Sequence, residues 1–297
     1  MRILLGAIGS LFVVLVAFYL AGKRGTAQVE IGDQASIEPL PGAKLIATRS
    51  GRVHVVDVGQ GPAILLLHGS GRSVADWQEG VIDRLSPYHR VVAFDFYGFG
   101  FSERNPRFTY GYDLWVQQAV DVLDALEIEH ATVVGHSLGG ALACILAVDH
   151  PTRVDHVVTI GTGMAIEPTM FLPAIPGFGE WWIGREPMYG PAGSPRDRAA
   201  LEAAFRIPGT HAALLSYIRR QMFVDGFRLL RGVFEDLTVP VLHVSGAEDR
   251  NIPPSVARAL TQRTHGRFVL IPRATHNVHI DAPAELVEAI EGFLAER

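Results

Sequence analysis

Three residues that each follow an apolar run have the means to do chemistry together: a serine, an aspartate and a histidine. Ser137 lies in Gly135-His136-Ser137-Leu138-Gly139-Gly140, between the apolar stretch 131–134 and a helix-period segment that opens at Leu138. A G-x-S-x-G pentapeptide in a strand-to-helix turn pushes the serine hydroxyl out at a sheet edge, because glycines two residues before and after let the backbone bend sharply. The helix opening at Leu138 points its unpaired N–H groups and positive dipole end at the same place, which suits an oxyanion. Serine is a poor nucleophile at neutral pH; it needs a base, and the base needs a partner that fixes its tautomer and stabilises its charged form. Both occur downstream. Ser245-Gly246-Ala247-Glu248-Asp249 follows an apolar run ending at Val244, and Pro272-Arg273-Ala274-Thr275-His276 follows one ending at Ile271. We therefore assign Ser137 as nucleophile, His276 as general base and Asp249 as the acid that orients it, with His279 and Glu248 as rivals. A histidine base predicts activity that declines as the imidazole is protonated on the acid side.

To meet, these residues must leave one edge of one sheet. Two short β-type runs at 44–48 and 52–58, around Ser50-Gly51, predict an antiparallel hairpin. Apolar runs at 63–67, 90–94, 131–134, 154–160, 239–244 and 267–271 then alternate with helix-period segments at 112–126, 138–150, 254–264 and 283–295. Strands this apolar are covered on both faces, so the expected class is α/β with a mostly parallel, doubly wound sheet. Right-handed crossovers put the loops after the strands' carboxyl ends along one edge, where ligand sites of such sheets form. From Met164 to about Glu235 no strand pattern appears; we expect a helical cap insertion there, carrying Met170, Phe171, Phe178, Trp181, Trp182, Met188 and Tyr189.

Two further stretches are distinctive: Leu67-His68-Gly69-Ser70, and Asp95-Phe96-Tyr97-Gly98-Phe99-Gly100-Phe101-Ser102, a D-x-x-G-x-G-x-S loop. Around His276, the run Thr275-His276-Asn277-Val278-His279 with Asp281 and Pro283 is similar to G-H-x-x-x-x-E-x-P, with Thr275 where glycine is common and Asp281 where Glu is frequent. Together with the elbow, these motifs make the chain from Lys44 to the C-terminus resemble the α/β-hydrolase superfamily. The resemblance implies a Ser-Asp-His triad in that chain order, and an oxyanion hole formed by the backbone N–H groups of Ser70 and Leu138. It leaves His68 and His136 as structural hydrogen-bonders and Asp113 and Asp124 as solvated helix positions. Haloalkane dehalogenases and epoxide hydrolases carry Asp at the elbow; Ser137 speaks against that carboxylate chemistry and for acyl transfer to water. The expected activity is hydrolysis of a carboxylic ester, with an apolar acyl or lipid-like group suggested by the cap aromatics. C–C bond hydrolysis of dienoic ring-cleavage products, cofactor-free perhydrolysis and a weakly catalytic ligand sensor stay open as alternatives. No phosphate loop, dinucleotide fingerprint or metal-ligand cluster is present in the sequence, so no cofactor is expected.

With 297 residues, 48% hydrophobic and 19% charged, the chain has enough apolar mass for a large core. A net charge of −5 and 26 scattered Lys and Arg residues exclude a nucleic-acid partner. Cys144, the only cysteine, has no intramolecular partner. Residues 3–22 form an uncharged, mostly apolar run of twenty between Arg2 and Lys23-Arg24, long enough as a helix to cross the ~30 Å of a bilayer. We expect 1–25 to be an uncleaved membrane anchor of undetermined orientation; the alternative is a signal segment cut near Gly25-Thr26-Ala27, giving a secreted or periplasmic protein. Residues 26–43 read as a linker, 44–163 and 236–297 as the core and 164–235 as the cap. The expected partners are a small-molecule ester and a membrane.

Overall fold

Two strands, β1 (Ala43–Ala47) and β2 (Arg52–Val58), form the antiparallel hairpin expected at the start of the domain. β2 pairs antiparallel with β4 (Arg90–Phe94), and from there every pairing is parallel. The other strands are β3 (Ala63–Leu67), β5 (Ala131–His136), β6 (Val154–Ile160), β7 (Val241–Gly246) and β8 (Arg267–Ile271), in the spatial order β1-β2-β4-β3-β5-β6-β7-β8. The computed structural model describes residues 40, 42–163, 171–183, 195–230 and 232–296. The expected anchor or signal segment and most of the linker lie outside the described residues, as do Met170, Met188 and Tyr189. Among the described residues, no helix is long and apolar enough to cross a membrane.

The continuous apolar runs are explained by two cores. Along β3, Leu65 and Leu67 enter one hydrophobic cluster while Ile64 and Leu66 enter the other, so the period of two divides one buried strand between both faces. α2 (Tyr112–Ala125) and α3 (Leu138–Asp149) cover the first face; α10 (Pro283–Leu294) covers the second through Leu286, Val287 and Ile290. α8 (Pro254–Thr264) packs against β7 and β8, and the short α9 (Val278–Asp281) packs against α10. One helix on the second face is absent from the sequence expectation: α1, made of Ala75–Trp77, a π turn Gln78–Ile82 and Asp83–Leu85. Its signal was present, with Val74, Trp77, Val81, Ile82 and Leu85 all buried at helical spacing. β5 and β7 each run two residues further than expected, because their last residues still pair with the neighbouring strand, His136 with Ile160 and Gly246 with Ile271.

Chain order and spatial order differ where function is decided. After β3 the chain steps to β4 on one side, then returns past β3 to β5 on the other. The crevice at the carboxyl ends of β3 and β5 is therefore the topological switch point, where open α/β sheets bind ligands.

The inserted region is helical, with no strand among its described residues: α4 (Phe171–Ala174), α5 (Phe178–Ile183), α6 (Pro195–Arg206) and α7 (Thr210–Arg220), the last continuing through Gln221–Asp225 into Gly226–Leu230. α7 contributes Ala213, Leu214, Leu215, Tyr217 and Ile218 to the first core cluster, so cap and core share apolar surface. A buried guanidinium also joins them. Arg104 donates to the carbonyls of Ser102 (2.5 Å) and Gly100 (2.6 Å) in the core, and to Thr210 Oγ1 (3.0 Å) and the Ala204 carbonyl (3.3 Å) in the cap. Burial pushes its pKa down to about 10.

Candidate active site

The elbow is built by close backbone contact. Ser137 has φ +52° and ψ −114°, a conformation outside the regions open to ordinary residues and worth about 1–3 kcal/mol of strain. A Cβ at Gly135 would strike the Gly139 carbonyl, and one at Gly139 would strike the Leu67 carbonyl, so glycine is required on both sides of the serine. The strain is held in place by hydrogen bonds: the Ser137 N–H donates to the Ile160 carbonyl (2.8 Å), and its own carbonyl accepts from the amides of Gly140 (3.1 Å) and Ala141 (3.3 Å). Ser137 stays partly exposed, and among the described residues its hydroxyl has no hydrogen-bond partner.

His276 and Asp249 meet as expected. The imidazole Nδ1 lies 2.9 Å from Asp249 Oδ2, and the carboxylate is fully buried while the ring is 15% exposed. A carboxylate only accepts, so Nδ1 carries the proton and Nε2 keeps its lone pair, the state a general base requires. The other Asp249 oxygen accepts the amides of Asn251 (2.9 Å) and Ile252 (2.8 Å), which locks the carboxylate's orientation. Glu248 is exposed, and His279 is buried against Trp77, with ring centroids 4.6 Å apart, so neither rival occupies this place. The loop departures Thr275 and Asp281 bond to each other: Thr275 donates through its amide (2.7 Å) and hydroxyl (2.5 Å) to Asp281 Oδ2, closing the turn that carries His276.

Gly161 joins the two halves. It follows Ile160, the acceptor of the Ser137 amide, and has φ +55°; a Cβ there would lie 3.0 Å from His276 Nδ1 and 3.3 Å from Asp249 Oδ2. Gly161→Ala is expected to leave a folded protein with kcat lowered about 10- to 100-fold, because displacing the couple by a fraction of an ångström degrades alignment. Steady-state kinetics beside a circular-dichroism melt would check this; unchanged kcat would mean that the couple has slack.

The loop after β3 turns at Gly69-Ser70-Gly71-Arg72, closed by the Arg72 amide on the Gly69 carbonyl (3.2 Å), with Gly71 at φ +69° where a turn of this kind needs glycine. Gly139 packs against the carbonyls of Leu67 and His68, which brings the first turn of α3 against this loop. Among the described residues, neither the Ser70 nor the Leu138 amide donates to a backbone acceptor. Asp95 anchors the surroundings, accepting from the Val74 amide (2.8 Å), the Phe101 amide (2.8 Å) and His54 Nδ1 (2.7 Å). His68 Nε2 accepts the Phe96 amide (3.0 Å) and Nδ1 donates to the Gly69 carbonyl (2.7 Å), the structural role expected of it.

Beneath the site lies a buried group that sequence reasoning missed, although its spacing of four residues was visible. Arg72 pairs with Asp76 through Nε (2.6 Å) and Nη2 (2.7 Å), and His279 Nε2 stands 3.7 Å from Asp76. Burial opposes the Asp76 charge, but the contacts with His279 and Arg72 hold its carboxyl below the usual range. Burial lowers the pKa of His68, His136 and His279, so all three are neutral; His136 is the furthest displaced, with His279, His276 and Arg72 adding to the effect. Cys144 is buried in α3 with its thiol pushed up to about 12, which leaves it inert. Among the described residues, no cluster of His, Cys, Asp and Glu could hold a metal ion.

Known proteins resemble this arrangement over most of their length. The chain is 32% identical over 258 residues to the 2-hydroxymuconate semialdehyde hydrolase of Pseudomonas sp. (strain CF600), covering 82% of this chain and 91% of that protein. It is 29% identical over 260 residues to the pimeloyl-[acyl-carrier protein] methyl ester esterase of Aeromonas hydrophila, covering 82% and 99%. The solved meta-cleavage product hydrolase of Pseudomonas fluorescens IP01 superposes with a TM-score of 0.68 at 27% identity, over 84% of this chain and 97% of that one. Residues 64–289 match the alpha/beta hydrolase family, from β3 to within α10 and including Ser70, Ser137, Leu138, Asp249 and His276, and the chain belongs to that family.

Proposed function

We propose that the protein is a serine hydrolase that cleaves a carbon–carbon bond beside the carbonyl of a small dienoic acid, using Ser137, His276 and Asp249, with the Ser70 and Leu138 amides as oxyanion donors. The observation that carries the substrate class is the likeness to the Pseudomonas hydrolase, which runs through core and cap alike. The geometry supports the chemistry. Ser137 Oγ adds to the carbonyl carbon as its proton passes to His276 Nε2, and the alkoxide takes up the two amides. The C–C bond then breaks, its electron pair enters the conjugated fragment, and that fragment is protonated by His276. Water, deprotonated by the same nitrogen, releases the acyl group as a carboxylic acid.

A methyl ester or similar small ester is the second reading, favoured by the Aeromonas relative; the same acyl-enzyme serves it. The lipid-like ester expected from the cap aromatics has less support. Phe171 is 53% exposed, Phe178 and Trp181 stack on each other with centroids 5.5 Å apart, and Trp182 packs against the core cluster. Membrane attachment through residues 3–22 is part of the proposal, resting on the sequence alone, and fractionation of cells into soluble and detergent-extracted material would test it.

The deciding experiment compares kcat/KM of the purified full-length chain on 2-hydroxymuconate semialdehyde, followed by loss of its absorbance, with that on p-nitrophenyl and methyl esters. The expected preference for the dienoate is at least about 100-fold, the scale on which a shaped site discriminates. A preference of that size for the esters would move the second reading ahead.

A further inference from the structure

We propose that His136 is a positioning residue, whose ring holds the His276 loop, the nucleophile elbow and the loop after β3 in register; this rests on the functional reading above. The ring is covalently next to Ser137, so it moves with the nucleophile. Its Nε2 lies 3.0 Å from the His276 carbonyl oxygen, and since a carbonyl only accepts, Nε2 carries the proton. The His276 residue is thereby held at two points: its backbone by His136 and its ring by Asp249. The third element is Gly69, the neighbour of Ser70, against which His136 Nδ1 is packed so closely that a Cβ there would lie 2.8 Å from that nitrogen. Nδ1 has no hydrogen-bond partner.

The ring has little freedom to turn. It is 2% exposed, 4.8 Å from the His276 ring centroid and 4.3 Å from that of His279. The groups facing it are His276, His279 and, more remotely, the Arg72 guanidinium, all of which disfavour a second positive charge. His136 therefore keeps its neutral Nε2–H form while His276 cycles through its imidazolium, and the bond to the His276 carbonyl survives each turnover. A residue that merely filled this space would need neither the donor nor the reach of Nε2.

The test uses the full-length protein with His136→Phe, which keeps ring bulk without the donor, and His136→Gln, which restores an N–H at similar reach. The readouts are the rate of fluorophosphonate labelling, kcat and KM on the best substrate, and the melting temperature. Wild-type labelling checks the functional reading independently, since its absence would sink that reading whatever His136 does. For His136→Phe we expect labelling and kcat to fall together by about 10- to 100-fold with KM changed less than about threefold, and His136→Gln to recover most of the loss. If the Phe variant does not fold, the Gln variant and the shorter His136→Asn decide the same point, with Gln active and Asn impaired. Unchanged labelling and kcat in folded His136→Phe, or Gln performing no better than Phe or Asn, would overturn the proposal.

Discussion

Ser137→Ala is expected to abolish fluorophosphonate labelling and to lower kcat by at least about 10⁴-fold while leaving the fold intact. The size follows from what remains. Without the hydroxyl there is no atom to form the acyl-enzyme, and His276 is left to activate water directly. The residual rate comes from binding and from the two amides at Ser70 and Leu138. Stability should change by less than about 1 kcal/mol, because the elbow is held by backbone groups that alanine keeps. Mass-spectrometric detection of the adduct, with turnover and a thermal melt in parallel, separates the possibilities. Retained turnover in a folded, unlabelled variant would remove Ser137 from the mechanism and favour direct attack by water on the substrate.

The second expected result is a loss of stability on mild acidification, led by buried histidines. His243 sits in β7 with Nδ1 2.7 Å from Thr159 Oγ1 and Nε2 2.9 Å from Thr264 Oγ1, and burial lowers its pKa from 6.5 to about 4. Above 6.5 neither the folded nor the unfolded chain protonates this residue, and its full contribution to stability is present. As pH falls through 6.5 towards 4, the unfolded chain takes up a proton that the folded one excludes, so stability is lost across that window, by about 3 kcal/mol for His243 alone. His68, His136 and His279, also lowered by burial, act in the same direction. Asp76 and Asp95, whose carboxyls are held low despite burial, add a further loss only as pH drops below their unfolded value of 3.8. Two groups oppose the trend: Asp225, raised by burial, and His130, raised by Asp155 but fully exposed and therefore screened. Urea titrations at pH 7.5, 6 and 5 should give a steadily falling unfolding free energy, and His243→Gln should flatten that slope by about one proton. A free energy independent of pH across this range would show that the buried histidines are reached by solvent.

Much of the site was legible because its parts announce themselves locally. The elbow is a matter of glycines around a serine, and the same close contacts that demand Gly135 and Gly139 in the structure make them readable in the chain. Asp249 and His276 were visible as residues closely following apolar runs, and the structure brings these two side chains to 2.9 Å of each other while Glu248 faces solvent. The pairing of Thr275 with Asp281 was hidden in plain view: two departures from one motif, six residues apart, that turn out to bond each other. The helix α1 is hard to read in the chain because its apolar period is short and is broken by a π turn.

By itself, then, the sequence determined the order of the strands, most of the helices, the three candidate side chains and the glycines that let the chain turn at the elbow. These depend on periodicity and on steric needs within a few residues. Only the tertiary structure decided which strands neighbour one another, and so that the crevice lies between β3 and β5, that Arg104 binds cap to core, and that Arg72, Asp76, His279 and His136 form one buried group under His276. Those contacts join residues far apart in the chain, and their strength comes from burial and from the exclusion of water, which exist only once the whole sheet has been covered on both faces.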